Sequence, residues 1–91
     1  MNRILIIEDE IDLYNMISLR LIREDYTIVK SINDDYNVVI LDYGSMSYKK
    51  FDKNNLIIIS GLNINLKGYN FLMKPFRMKE LISMIEKIQK T

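Results

Sequence analysis

Apolar and polar positions fall into blocks along the chain. Three short runs are unbroken: residues 4–7 (ILII), 38–41 (VVIL) and 56–59 (LIII). Runs of Val, Ile and Leu without polar alternation predict strands buried on both faces, as in a parallel sheet. Residues 69–73 form a less pure further candidate, and residues 26–30 (YTIVK) mix polar with apolar positions as a half-exposed edge strand does. Between the first run and the edge strand, Tyr14, Ile17 and Leu21, with their neighbours Leu13 and Ile22, recur on one side at helical spacing over residues 11–24. Asp9 and Glu10 stand at the start of that helix, where carboxylates suit free N–H groups and the macrodipole. Met78, Leu81, Ile82, Ile85 and Ile88 predict a closing helix, with Lys79, Glu80, Glu86, Lys87 and Lys90 facing outward.

Strand, helix, strand, further buried strands and a final helix predict an open α/β sheet, parallel because its connections are crossovers. No repeat or linker divides the chain, so residues 1–91 are expected to form one domain. The middle connections are short. Residues 31–37 and 61–68 supply seven and eight positions, where a helical crossover usually needs about a dozen. Those two helices are therefore expected to be reduced to a turn or missing, while residues 43–55 have room for a short helix.

Composition narrows the chemistry. An apolar fraction of 48% with 27% charged residues fits a folded domain. Thirteen Lys and Arg against twelve Asp and Glu leave a net charge of +1, which offers no electrostatic footprint for nucleic acid or an anionic membrane. The absence of cysteine and histidine excludes disulfides, thiolate metal sites and imidazole chemistry by this chain. The N-terminal apolar run is too short for a signal peptide or a membrane span, so a cytoplasmic location is expected. Carboxylates, hydroxyls and amines must carry any reaction.

Such groups stand where the buried runs stop: Glu8 and Asp9, then Asp42, then Ser60, then Lys74 after residues 71–73. In open α/β sheets ligands bind in the crevice beyond the carboxyl ends of the strands. Adjacent strands lie about 4.8 Å apart, so groups at neighbouring tips reach one shared ion or ligand.

The pieces ILIIEDE (4–10), VVILD (38–42), LIIISG (56–61) and FLMKPF (71–76), in this order over nearly the whole chain, resemble the receiver domain of two-component response regulators. The resemblance implies a flavodoxin-like, doubly wound parallel sheet of five strands in the order 2-1-3-4-5. It implies that Asp42 accepts a phosphoryl group from a sensor histidine kinase or phosphotransfer protein, without turnover of an external substrate. Asp9 would ligate the metal directly and Glu8 through water. Asp42 would share one oxygen, and Gly44 its backbone carbonyl. Oxygen ligands without nitrogen or sulfur suit a hard cation, Mg2+ first, with Mn2+ as a substitute. Lys74 and Ser60 would contact the phosphoryl oxygens. Ser60 and Phe71 would form the switch read by a downstream protein, and the Lys74-Pro75 bond matches one that the family builds cis. Partner choice would lie on the first helix near Leu13, Met16 and Ile17.

The chain also departs from that pattern. No Met-Pro follows the acceptor strand: Met46 comes one place late. Phe71 lacks the hydroxyl of the commoner tyrosine, and LNINLKG (62–68) leaves little room for the helix before the last strand. A phosphorylation-independent interaction module is therefore an alternative. A nucleotide- or flavin-binding domain finds little support, because no glycine-rich loop follows the first strand. Blander roles also exist for each residue: Asp9 and Glu10 as a helix start, Ser60 as a turn, Asp42 as a cap for residues 43–55, Lys74 as a solvated lysine, and Phe71, Met73 and Phe76 as packing.

Overall fold

Each apolar run becomes a strand. The computed structural model describes residues 2–64 and 66–90, so Met1, Thr91 and Asn65 of the 62–68 segment lie outside the described residues. The strands β1 (Arg3–Ile7), β2 (Thr27–Val29), β3 (Val38–Asp42), β4 (Leu56–Ser60) and β5 (Asn70–Met73) make one sheet in the order β2-β1-β3-β4-β5. All four pairings are parallel, and the order is the expected one. The runs 4–6, 38–41 and 56–59 are almost fully buried, between 0 and 5% exposed, as continuous apolar strands covered on both faces should be.

The two faces are covered differently. Helices α1 (Ile11–Arg23) and α2 (Met78–Gln89) lie on the same face, where Ile17, Leu21, Leu81 and Ile85 pack on Ile4, Ile6, Val38, Ile40, Ile57, Ile59 and Leu72. On the other face Leu5, Val29, Val39, Leu41, Leu56 and Ile58 are covered by Phe51 and, in part, by Tyr36, Met46, Tyr48, Leu66 and Tyr69. These covering side chains come from connections without an α-helix. Residues 43–55 hold two single 3-10 turns, Tyr48–Lys50 and Lys53–Asn55, in place of a short α-helix. Ser47 and Asp52 start them by accepting backbone N–H groups of Lys49 and Asn54 at 3.3 and 2.9 Å. Two short caps so close together leave no length for a full helical turn, and Phe51 between them drops into the core.

The remaining connections need no helix. Eight residues, 30–37, join β2 to β3, and an extended chain of that length reaches about 27 Å, enough to run back along a short strand and cross β1. Asn37 fixes the arrival point: its side-chain Oδ1 accepts the N–H of Arg3 and its N–H donates to the Arg3 carbonyl, both at 2.8 Å. β1 and β3 are thereby held in register from their first residues.

Helix α1 departs from expectation at Ile22, which is 54% exposed. Five residues beyond Ile17, a side chain has turned about 140° from the buried stripe. The helix ends in a Schellman motif: Tyr26 N–H donates to the Leu21 carbonyl at 3.0 Å and Asp25 N–H to that of Ile22 at 3.1 Å. That turn holds Asp25 at φ 68°, a left-handed conformation that glycine adopts without steric cost.

Two outcomes follow from this packing. Asp25→Gly should raise stability by about 0.5–1 kcal/mol, read as a later urea midpoint with unchanged slope. Phe51→Ala, which uncovers the face lacking α-helices, should lower it by roughly 3–5 kcal/mol in the same measurement.

Candidate functional site

The chain leaves β1 toward β2 and returns to place β3 on the opposite flank, so the sheet order reverses between β1 and β3. This is the kind of position where open α/β sheets bind ligands. Pairing of Ile7 with Leu41 sets Glu8 and Asp42 as the next residues at adjacent tips. Alternation along each strand decides where the side chains go. Asp42 continues the series Val38 and Ile40, on the face of α1 and α2; Ser60 continues Leu56 and Ile58, on the opposite face with Phe71.

Lys74 follows β5 and is anchored by its N–H, which donates to the Ser60 carbonyl at 2.7 Å. The Lys74-Pro75 peptide is cis. The ammonium lies between two carboxylates, 2.8 Å from Glu8 Oε1 and 3.0 Å from Asp42 Oδ1. Glu8 is the most enclosed of the three, its side chain 3% exposed. Its Oε1 has no partner in hydrogen-bond geometry and relies on the charge of Lys74, while Oε2 accepts the Glu10 N–H at 3.1 Å. Burial disfavours the Lys74 ammonium, but contact with Glu8 and then Asp42, and their charges, outweigh it and raise the pKa above the ordinary lysine value.

Asp9 is linked to Asp42 on the other side through Ser45. Ser45 Oγ lies 3.0 Å from Asp9 Oδ2 and 3.2 Å from Asp42 Oδ2. Ser45 is carried there by a tight turn in which its N–H donates to the Asp42 carbonyl at 3.0 Å. Gly44 lies within that turn, and a Cβ on it would sit 3.6 Å from Asp42 Oδ2. The site is thus a row of groups, Glu8, Lys74, Asp42, Ser45 and Asp9, with Asp42 in the middle. Asp42 caps nothing in residues 43–55, where Ser47 and Asp52 do so.

Ser60 is buried at 4% exposure, and its hydroxyl accepts the Leu62 N–H at 3.0 Å, so it serves as a strand-end turn in this structure while its own proton remains able to donate. Phe71 is half-buried against the second-face cluster, and its partner Ile58 lies two residues before Ser60 on that face. Of the first-helix positions, Ile17 is buried, Met16 is 45% exposed, and Leu13 is partly buried against the helix-side core. Leu13 and Met16 also line an open cleft with Glu10, Lys74, Pro75 and Phe76. The residue overlooked by the sequence reading is Ser45. Its signal was present: a hydroxyl three places after Asp42.

Among the described residues no three acidic side chains gather closely enough to enclose a metal ion. The donor set nonetheless fits a partly hydrated hard cation, which takes one or two carboxylates and keeps several waters. Asp9 and Asp42 are the two that share Ser45 rather than a cation as a neighbour, with the Gly44 carbonyl as a candidate backbone donor. Glu8, held by Lys74, suits a role through water.

No family model matches the sequence, and a search of curated proteins finds no match. Solved structures do match. A response regulator receiver protein from Sinorhizobium medicae superposes with a TM-score of 0.80 at 18% identity, covering 99% of this chain and 95% of that one. The response regulator TrrA from Thermotoga maritima, in complex with Mg2+–BeF, gives 0.76 at 21% identity, covering 97% and 99%. An orphan response regulator of H. pylori gives 0.72 at 16%, covering 96% and 95%. The chain has the fold of response-regulator receiver domains, the flavodoxin-like plan. At such identities the likeness speaks for the fold.

Replacing Lys74 by Gln should cost about 1–3 kcal/mol near neutral pH, because Glu8 is left buried beside Asp42 without a cation. The folded-state pKa of Lys74 is raised, so the stabilisation is complete below the unfolded lysine value of about 10.4 and disappears as pH rises through the folded value. Urea midpoints of wild type and Lys74→Gln should therefore differ at pH 8, and the difference should shrink as pH rises past the folded-state value.

Proposed function

We propose that this chain is a phosphoryl-accepting signalling switch, taking a phosphoryl group onto Asp42 from a phosphohistidine of a partner kinase or phosphotransfer protein. The observation that carries the reading is the ammonium of Lys74 held between Glu8 Oε1 and Asp42 Oδ1 at the sheet's reversal point. A charge so placed is already beside the oxygen that would become esterified. The two oxygens of Asp42 have different neighbours: Oδ1 faces Lys74, and Oδ2 faces Ser45 and Asp9. Oδ1 attacks phosphorus; the N–P bond of the donor breaks, the O–P bond forms, and the imidazole leaves with the electron pair and takes a proton. Mg2+, when bound beside Asp9 and Asp42, supplies neutralisation of the phosphoryl oxygens.

Within the chain, Lys74 shifts its contact from the Asp42 carboxylate to a phosphoryl oxygen while retaining Glu8, a charge-assisted exchange. Ser60 contributes its free O–H to a second phosphoryl oxygen by turning from its present rotamer. Phe71, on Ser60's face, follows into the space released, without a phenolic hydrogen bond to offer a partner. The new surface is read by a downstream protein. Among the described residues no helix is long and apolar enough to cross a membrane.

The test is the mass of the intact protein after incubation with Mg2+ and acetyl phosphate. A single phosphoryl adduct is expected in wild type and none in Asp42→Asn. The complete absence of an adduct in wild type would sink this reading and favour a phosphorylation-independent interaction module.

A further inference from the structure

The contacts of Ser45 pose a problem of proton count. A serine hydroxyl carries one hydrogen, yet Ser45 Oγ stands within hydrogen-bond distance of two carboxylate oxygens, 3.0 Å from Asp9 Oδ2 and 3.2 Å from Asp42 Oδ2. It can donate to only one at a time. The remaining contact is an approach of two electron-rich oxygens, which is tolerated only while the hydroxyl proton is shared between alternatives or a positive charge lies nearby. Lys74 does not serve, because it sits on the far oxygen, Oδ1. Oxygens from just before α1 and from the turn after β3 therefore meet at Ser45 Oγ, with one hydroxyl proton to serve two carboxylates.

The turn after β3 creates this arrangement. Ser45 N–H closes back on the Asp42 carbonyl at 3.0 Å. The hydroxyl is held over the carboxylates by the backbone.

We propose that Ser45 is a positioning residue for the divalent cation of this site: its hydroxyl, donating to Asp9 or Asp42 in alternation, keeps both carboxylates oriented toward the turn, so that the cation finds two donors already directed to one place. The inference rests on the acceptor-site reading above and adds to it a residue which that reading does not use. Without the hydroxyl, two like charges separate and must be gathered again on binding. Partners that orient metal-ligating carboxylates typically change affinity by one or two powers of ten when removed.

Isothermal titration of the purified chain with MgCl2 reads this directly, with circular dichroism confirming that each variant is folded. Ser45→Ala is expected to weaken Mg2+ binding about tenfold or more, and Ser45→Thr, which keeps the hydroxyl, to bind within a few-fold of wild type. Ser45→Ala binding Mg2+ as wild type does overturns the proposal. So does equal weakening in Ser45→Thr, which assigns the effect to packing of the turn. A wild-type chain without measurable Mg2+ binding overturns it together with the metal reading, whereas normal binding by both variants removes only the role of Ser45.

Discussion

Pairing of β1 with β3 is the constraint from which the rest of the site follows. Ile7 opposes Leu41, so the residues that come next, Glu8 and Asp42, end neighbouring strands on the same side of the sheet. Two carboxylates at adjacent tips repel, and the carboxylate of Glu8 is too enclosed for water to screen it. The Lys74 ammonium resolves the conflict by touching both. It is delivered by β5, at the far edge of the sheet, where the Ser60 carbonyl fixes its backbone. A charged group near a buried surface survives because a partner is brought to it, and here that partner comes from a part of the chain more than thirty residues away.

The same sheet has to be covered on both faces by a chain of 91 residues. One face receives two amphipathic helices. The other is closed by single side chains from loops: Phe51 between two 3-10 turns, with Tyr48 nearby, stacked on Tyr43 at 6.0 Å between ring centroids and meeting Tyr69 edge-to-face at 5.0 Å. Aromatic rings bury much area per residue and lose few rotamers on ordering. A small number of them can therefore seal a strand layer where helices would need a dozen residues each. Solved receiver domains align with nearly all of this chain, so the reduction in helices leaves the strand order and the carboxyl-end crevice in place. What the reduction changes is the surface on that side, which is made of loop side chains.

Around Asp42 the same economy appears. The turn after β3 lacks the usual Met-Pro, and the vacancy in sequence pattern is filled by a hydroxyl: Ser45 lies between Asp42 and Asp9. Asp42 thus has an ammonium on one oxygen and a hydroxyl on the other, so its two oxygens are chemically distinct.

Much of this was legible before any coordinates. Unbroken runs of Val, Ile and Leu specify buried parallel strands because such residues are stable only when both faces are covered, and the stripes of α1 and α2 specify the covering helices. The shortness of residues 31–37 foretold a missing helix. The polar residue at each strand tip marked Glu8, Asp9, Asp42, Ser60 and Lys74 as candidates. Periodicity misjudged Ile22, since an apolar residue adjacent to a buried stripe need not belong to it. Which tip groups touch was not written in the sequence. Alternation turned Ser60 to the face opposite Asp42, a tight turn brought Ser45 onto two acids, and Lys74 crossed to Glu8. Local sequence determines which segments must be buried, because burial is a property of each segment's own side chains. Contacts between tips depend on register, strand parity and turn closure, which exist only when distant segments are packed together.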